Sequence, residues 1–439
     1  MSSHASIPHL RIAFIFGFLF ALPSQLWAQF DFEKEPINYG ENLQHDAVAQ
    51  LQQQLSNQLS QLNFDEQHGY LKSVLEKLNI SPESQVLVYS KTSFQLSRIS
   101  PRKPRALYFN DDSYVGWVQG GDVVEIMTTD PQHGEVFYTL SQEQNETPRF
   151  VQDRGQCITC HASSRTQGVP GGLIRSAFVN ASGQPHYGSG TFTTDHSSPF
   201  AERWGGWYVT GTHGTMRHMG NVLSLDRDDA ENIDRESGAN VTDLSQKLNV
   251  SPYLTPHSDI VALMVLEHQT QMQNFLTLAN FETRMAQHHD QTINMALDRP
   301  ADHQSDTTRR RIASAGEKLV RSLLFVDEFP LESPVAGTSG FASEFAARGP
   351  FDSQQRSLRD FDLQTRLFKY PCSYLIYSDS FDQLPPAVKQ YVASRLHEIL
   401  FGDDMGEDFS HLTAEDRRAI REILQATKPD LWASLDPQP

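Results

Sequence analysis

The sequence predicts an α+β fold, with N-terminal helices and an antiparallel sheet, a β-rich region around a cysteine pair, and C-terminal helices. Two observations carry this. Apolar residues recur at helical spacing near both ends of the chain, and between positions 86 and 140 short β-branched and aromatic runs are divided by turn residues. The chain of 439 residues is 38% apolar and 21% charged, a globular composition. Its 54 acidic against 36 basic residues give a net charge of −18, which repels nucleic acid and predicts no nucleic-acid partner. Three cysteines are too few for a disulfide framework, so an ordinary core must stabilise the fold.

Residues 1–28 carry one charged side chain, Arg11, followed by the apolar run Ile12 to Leu22, then Pro23 and Leu26-Trp27-Ala28. This is the layout of a secretory signal peptide cleaved after Ala28, and it predicts an exported protein in a bacterial periplasm. The eleven-residue run is too short to span a bilayer. No later stretch is apolar enough to do so, which predicts no stable membrane insertion after cleavage. The rest divides into a helical and β-sheet region, 29–150, and a region 151–439 holding the cysteine pair and the C-terminal helices.

Val48, Leu51, Leu55, Leu59 and Leu62 predict one amphipathic helix over 43–62, and Leu71, Val74, Leu75 and Leu78 a second. Strands are expected at 86–89, 107–109, 114–118, 123–127 and 136–140, and after the cysteines at 173–179, 187–194 and 207–210. A long helix is expected over 258–285. Two more follow, one holding Val388 to Ile399 and one opened by a capping box of Thr413 and Asp416. The stretch 327–361, rich in Gly, Ser and Pro, reads as a long connector.

Cys157-Ile158-Thr159-Cys160-His161 is the C-x-x-C-H pattern of covalent haem attachment. Two thiols at this spacing reach the two vinyl groups of one porphyrin and form thioethers, and the adjacent histidine meets the iron. Export is consistent with it, because in bacteria this haem is installed outside the cytoplasm. The rival readings are weaker. A redox C-x-x-C belongs after a strand in a βαβ unit, which the surroundings do not show. A zinc site needs two more ligands, with only Cys372 and scattered histidines to supply them. A Cys157–Cys160 disulfide closes a very small loop and stabilises little.

On these residues the chain resembles a c-type cytochrome. The resemblance implies one covalent haem c on Cys157 and Cys160, with His161 as an axial ligand of its iron. More of the chain, including Ala106–Asp112, Trp204–Gly214 and Leu367–Cys372, is similar to an uncharacterised group of exported bacterial proteins with a cytochrome c signature. That group lends no substrate. Small soluble cytochromes c are about a hundred helical residues, whereas this motif sits in four times that length between β-rich flanks.

The other axial position is open to three readings. Thr212–Asn221 gathers Met216, His218 and Met219, and Met219 follows His161 by 58 residues, similar to the ligand separation in small cytochromes c. Met264, His268 and Met272 stack at i, i+4, i+8 on the long helix, although methionines at that spacing usually fill cores. The third reading is an open or water-bound position. Trp204, Trp207 and Tyr208 are candidates for the haem edge or plain core, and Arg154, Arg165 and Arg217 for partners of the haem carboxylates or solvated charges. Cys372 reads as a buried free thiol, and His288-His289 as facing water at a helix end.

The expected function is one-electron transfer by an exported monohaem cytochrome, with Met219 the leading second iron ligand and a redox partner presenting a basic docking face. The alternative is a haem oxidoreductase with an open distal site, acting on peroxide or a small nitrogen or sulfur compound, or a haem-based sensor.

Overall fold

The computed structural model describes residues 30–41, 45–153, 155–402, 404 and 406–433. The signal-peptide reading of 1–28 and the candidate Arg154 lie outside them. The architecture is α+β.

Helix α1 (Ala47–Ser56) is shorter than the periodicity suggests. Asp46 stops it at one end, accepting the amides of Val48 and Ala49 at 2.9 Å. At the other end the chain turns away at Gln58, which takes a left-handed φ of 57°, so Leu59 is left 79% exposed. Helix α2 (Leu71–Lys77) follows.

Strands β1 (Val86–Val88), β2 (Arg105–Phe109), β3 (Ser113–Trp117), β4 (Val123–Asp130), β5 (Gly134–Ser141) and β6 (Phe150–Gln152) form one antiparallel meander in chain order. The turn from β2 to β3 is set by Asn110, whose side chain accepts the amides of Asp112 and Ser113. Alternation gives the sheet two unlike faces. Leu87, Tyr108, Val115, Trp117, Ile126, Tyr138 and Leu140 pack under α1 and α2 as one apolar cluster. The opposite face is read from the register: Phe109, Tyr114, Met127 and Phe137 make one row, and Leu107, Gly116, Glu125, Thr139 and Val151 the next.

One-turn helix α3 (Ile158–His161) carries the motif. Beyond it the strands are brief: β7 (Arg175–Ala177) pairs with β8 (Thr191–Thr193). The strand expected at 207–210 is not formed. Trp204, Gly206 and Gly211 all take positive φ, and the chain there makes only single bridges, Val88 to Trp207 and Thr210 to Asp259. Strand β9 (Gly211–Thr212) pairs with β10 (Ala336–Gly337), reached after helices α4 (Ile260–Ala296) and α5 (Asp306–Leu323).

Helix α4 runs eleven residues past the expected 285, through a polar end, which puts His288 and His289 inside it instead of at its terminus. Helix α5 was not anticipated. Its first turns are polar, with Arg309-Arg310-Arg311, and its buried Ile312, Leu319, Val320 and Leu323 fall late. Short α6 (Phe341–Ala346) and α7 (Asp379–Asp382) precede α8 (Pro386–Phe401), α9 (Ala414–Thr427) and α10 (Asp430–Ala433). The capping box of Thr413 and Asp416 opens α9 as the sequence indicates. The main core joins α4, α5, α8 and α9 to Phe109 and Tyr114 of the sheet. Among the described residues no helix is long and apolar enough to cross a membrane.

Candidate functional site

Helix α3 is held at its start by Asp153, whose Oδ2 accepts the amides of Gly155 at 3.0 Å and Cys157 at 2.9 Å. Cys157 is half-buried and Cys160 exposed, and neither is in a disulfide. Burial, together with the nearby carboxylates of Asp153 and Glu125, pushes the Cys157 thiol up to about 12. A redox C-x-x-C works through a thiol lowered toward neutrality, so this environment is the opposite of what that chemistry needs.

His161 is clamped to Gly171 in both directions. The Gly171 amide donates to the His161 carbonyl at 2.8 Å, and His161 Nδ1 lies 2.9 Å from the Gly171 carbonyl. A carbonyl only accepts, so Nδ1 carries the proton and Nε2 keeps a bare lone pair. Among the described residues Nε2 has no hydrogen-bond partner. Burial holds the ring's pKa below its ordinary value, favouring the neutral form that can bind a metal. Its ring centroid lies 4.9 Å from that of Phe137 on β5.

The clamp is in turn fixed by α4. Asn274 donates to the Gly172 carbonyl at 2.9 Å, and a Cβ on Gly171 would fall 2.1 Å from Asn274 Oδ1. Any larger residue there must push Asn274 aside. Cys157 and the rings near His161 belong to a small cluster of Phe32, Ile37, Phe137, Ile158, Val169, Leu278 and Phe281, with Met127 and Met285 packed against it.

Next to this cluster the second sheet face is incompletely covered. Leu107, Glu125, Met127 and Thr139 are half-buried, and Val151 is 58% exposed. Gly116, in the middle of that row, leaves the surface without a side chain between Leu107 and Arg105. The result is a partly open shelf beside the motif, apolar at Leu107, Met127 and Val151 and charged at Glu125.

The residues considered for the second axial position sit elsewhere. Met219 packs with Phe178 and Ala230, and its sulfur lies 3.7 Å from the Ser176 hydroxyl. Met216, Met264 and Met272 are buried in the main core. His268 has both ring nitrogens engaged, by His196 at 3.2 Å and Ser373 at 2.8 Å. In His218, Nδ1 accepts the Gly220 amide at 2.9 Å, so the neutral ring carries its proton on Nε2 and offers no lone pair there. Trp204 and Trp207 are in the main core and Tyr208 in the cluster beneath the sheet. Arg217 is committed to Glu236, Arg165 is exposed, and Cys372 is a fully buried free thiol.

Sequence reasoning did not single out Met127, Gly116, Arg105, Gly171 or Asn274. The first three are visible only once strand register puts them on one face. The Pro170-Gly171-Gly172 run, ten residues after His161, was the signal available in the sequence for a close backbone approach. Among the described residues no group of three or more His, Cys, Asp or Glu side chains could hold a metal ion by itself. Comparison with protein-family models, curated proteins and solved structures finds no match to this chain.

Proposed function

We propose that this chain is an exported monohaem c-type redox protein, with haem c bound covalently through Cys157 and Cys160 and its iron ligated by His161. The observation that carries the reading is the state of the motif: two unlinked thiols three residues apart, followed by a neutral histidine whose Nδ1 is tied to Gly171 and whose Nε2 is bare. Tying the far nitrogen of a ligand histidine fixes its tautomer and raises its basicity. The half-open surface of Leu107, Met127 and Val151, beside the Arg105–Glu125 pair, would supply contact for a planar macrocycle. When bound, the haem supplies one-electron chemistry at its iron, while this chain orients the ligand and limits access of water.

The excess of acidic residues fits a redox partner with a basic docking face, drawn in at low salt. A periplasmic location goes with the same reading, since the leader-like segment 1–28 precedes the motif.

Electron transfer is favoured by a second strong iron ligand, which Met219 would provide only after leaving its contact with Ser176. A second reading, a haem oxidoreductase or sensor with an open distal position, is favoured by one observation. Met216, His218, Met219, Met264, His268 and Met272 are all buried among other partners. The test is the full chain produced with a working haem maturation system. Colour retained by the polypeptide after denaturing acid–acetone extraction, and lost in the Cys157→Ser/Cys160→Ser variant, is the expected result; a colourless wild-type polypeptide overturns it. A spectrum unmoved by carbon monoxide or cyanide supports transfer, and one that shifts supports the open position.

A further inference from the structure

On the shelf beside the motif, Arg105 and Glu125 form a pair whose two halves are unequally served. Their side chains are only 19% and 17% exposed, with Arg105 Nη1 at 2.5 Å from Glu125 Oε2. Glu125 is amply satisfied. Ser93 Oγ lies 2.8 and 3.0 Å from its two oxygens, and Gln95 Nε2 donates to Oε1 at 3.1 Å. Arg105 spends one of its five donors on Glu125, and its Nε is buried with no partner among the described residues. A guanidinium so enclosed ordinarily fills its fork, and the geometry it fits is a carboxylate taken by two parallel bonds.

Position strengthens the argument. Glu125 and Met127 are two residues apart on one strand and so share a face, and Met127 lies directly opposite Phe137, whose ring contacts His161. Arg105 lies over Gly116, where a Cβ would come 3.5 Å from its Cδ and 3.3 Å from Leu107 Cδ2. The glycine makes the space in which the arginine reaches across the strand. The charges of both Arg105 and Glu125 are felt at the His161 ring. Two of the arginines the sequence suggested for haem carboxylates are worse placed: Arg217 is already paired, and Arg165 stands exposed in solvent.

We infer that Arg105 receives a carboxylate of the bound haem, with its fork held in place by Glu125, which Ser93 and Gln95 anchor in turn. This rests on the haem reading above and names a contact of the same site. Arg105 is a positioning residue, and its effect is read in the pH profile of the midpoint potential. A haem carboxylate that loses its cation takes up a proton at higher pH, within about pH 5 to 8. Its later ionisation stabilises the ferric state, so the potential falls as pH rises through that window.

The experiment compares holoprotein of wild type, Arg105→Gln, Arg105→Lys, Glu125→Gln and the Arg105→Gln/Glu125→Gln double variant, scoring covalent haem content and midpoint potential against pH. The expected result is covalent haem in all of them and a falling step in Arg105→Gln that wild type lacks. The step is smaller in Arg105→Lys, which also serves if the glutamine variant does not fold. It must persist when Arg105→Gln is made on the Glu125→Gln background. Full haem with profiles that Arg105 substitutions leave unchanged, or an effect that vanishes once Glu125 is neutral, overturns the Arg105 assignment alone. A wild-type chain without covalent haem overturns the haem reading beneath it.

Discussion

Gly171 controls His161 from a distance of ten residues. Its amide and its carbonyl both bond His161, and Asn274 fills the space where any side chain would go. Gly171→Ala must therefore push the loop or Asn274 aside, at a cost of about 1–3 kcal/mol for overpacking. Denaturant unfolding of the haem-free chain should show that loss. On the haem reading proposed above, the holoprotein should keep its covalent haem while its iron spectrum changes, because the thiols are untouched and the ligand ring is not. Asn274→Ser, which shortens the obstructing side chain, should return part of the stability. The thiols and the histidine were legible in the sequence because their chemistry is written in five adjacent residues. Gly171, Asn274 and Arg105 were not, since each acts through a contact that exists only after chain segments far apart are brought together.

Asp259 shows the same dependence among elements. One of its oxygens caps α4 by accepting the amides of Val261 at 2.8 Å and Ala262 at 3.2 Å. The other accepts Thr338 N at 2.7 Å and Ser339 N at 2.8 Å, tying the segment after β10 to the helix start. Asp259→Ala removes a helix cap worth about 1 kcal/mol and leaves the partly buried amides of Thr338 and Ser339 unsatisfied, so a loss of roughly 2–4 kcal/mol is expected in thermal or denaturant unfolding. Asp259→Asn, which keeps an acceptor oxygen, should cost less. The sheet was legible strand by strand because period-2 alternation and turn residues coincide there. Helix α5 was hidden by its polar first half, and the strand expected at 207–210 failed because Trp204 and the neighbouring glycines adopt left-handed backbone that no apolar pattern reveals.

Across the whole molecule, buried ionisable groups set how stability depends on pH. The Glu135 carboxyl is fully enclosed and among the described residues has a single hydrogen bond, from the Thr129 hydroxyl at 2.9 Å, so burial raises it from 4.5 to about 8. The folded state keeps a proton that the unfolded chain releases above about pH 4.5, so stability falls with rising pH between those values, by up to about 1.4 kcal/mol per pH unit. Glu135→Gln should remove that slope in unfolding measured from pH 6.5 to 8. His218 and His268 act with the opposite sign. Burial holds both well below the ordinary imidazole value, so they contribute stability that is lost as pH falls below about 6.5.

The clamp on His161 also has a consequence for the order in which the protein can mature. Asn274 follows His161 by 113 residues, so a polypeptide truncated before α4 keeps both sulfurs, the imidazole and Gly171 but lacks the side chain that fixes the glycines. On the haem reading proposed above, such a fragment should accept porphyrin yet hold its iron loosely, and the finished coordination should arrive only when α4 folds back onto the glycines.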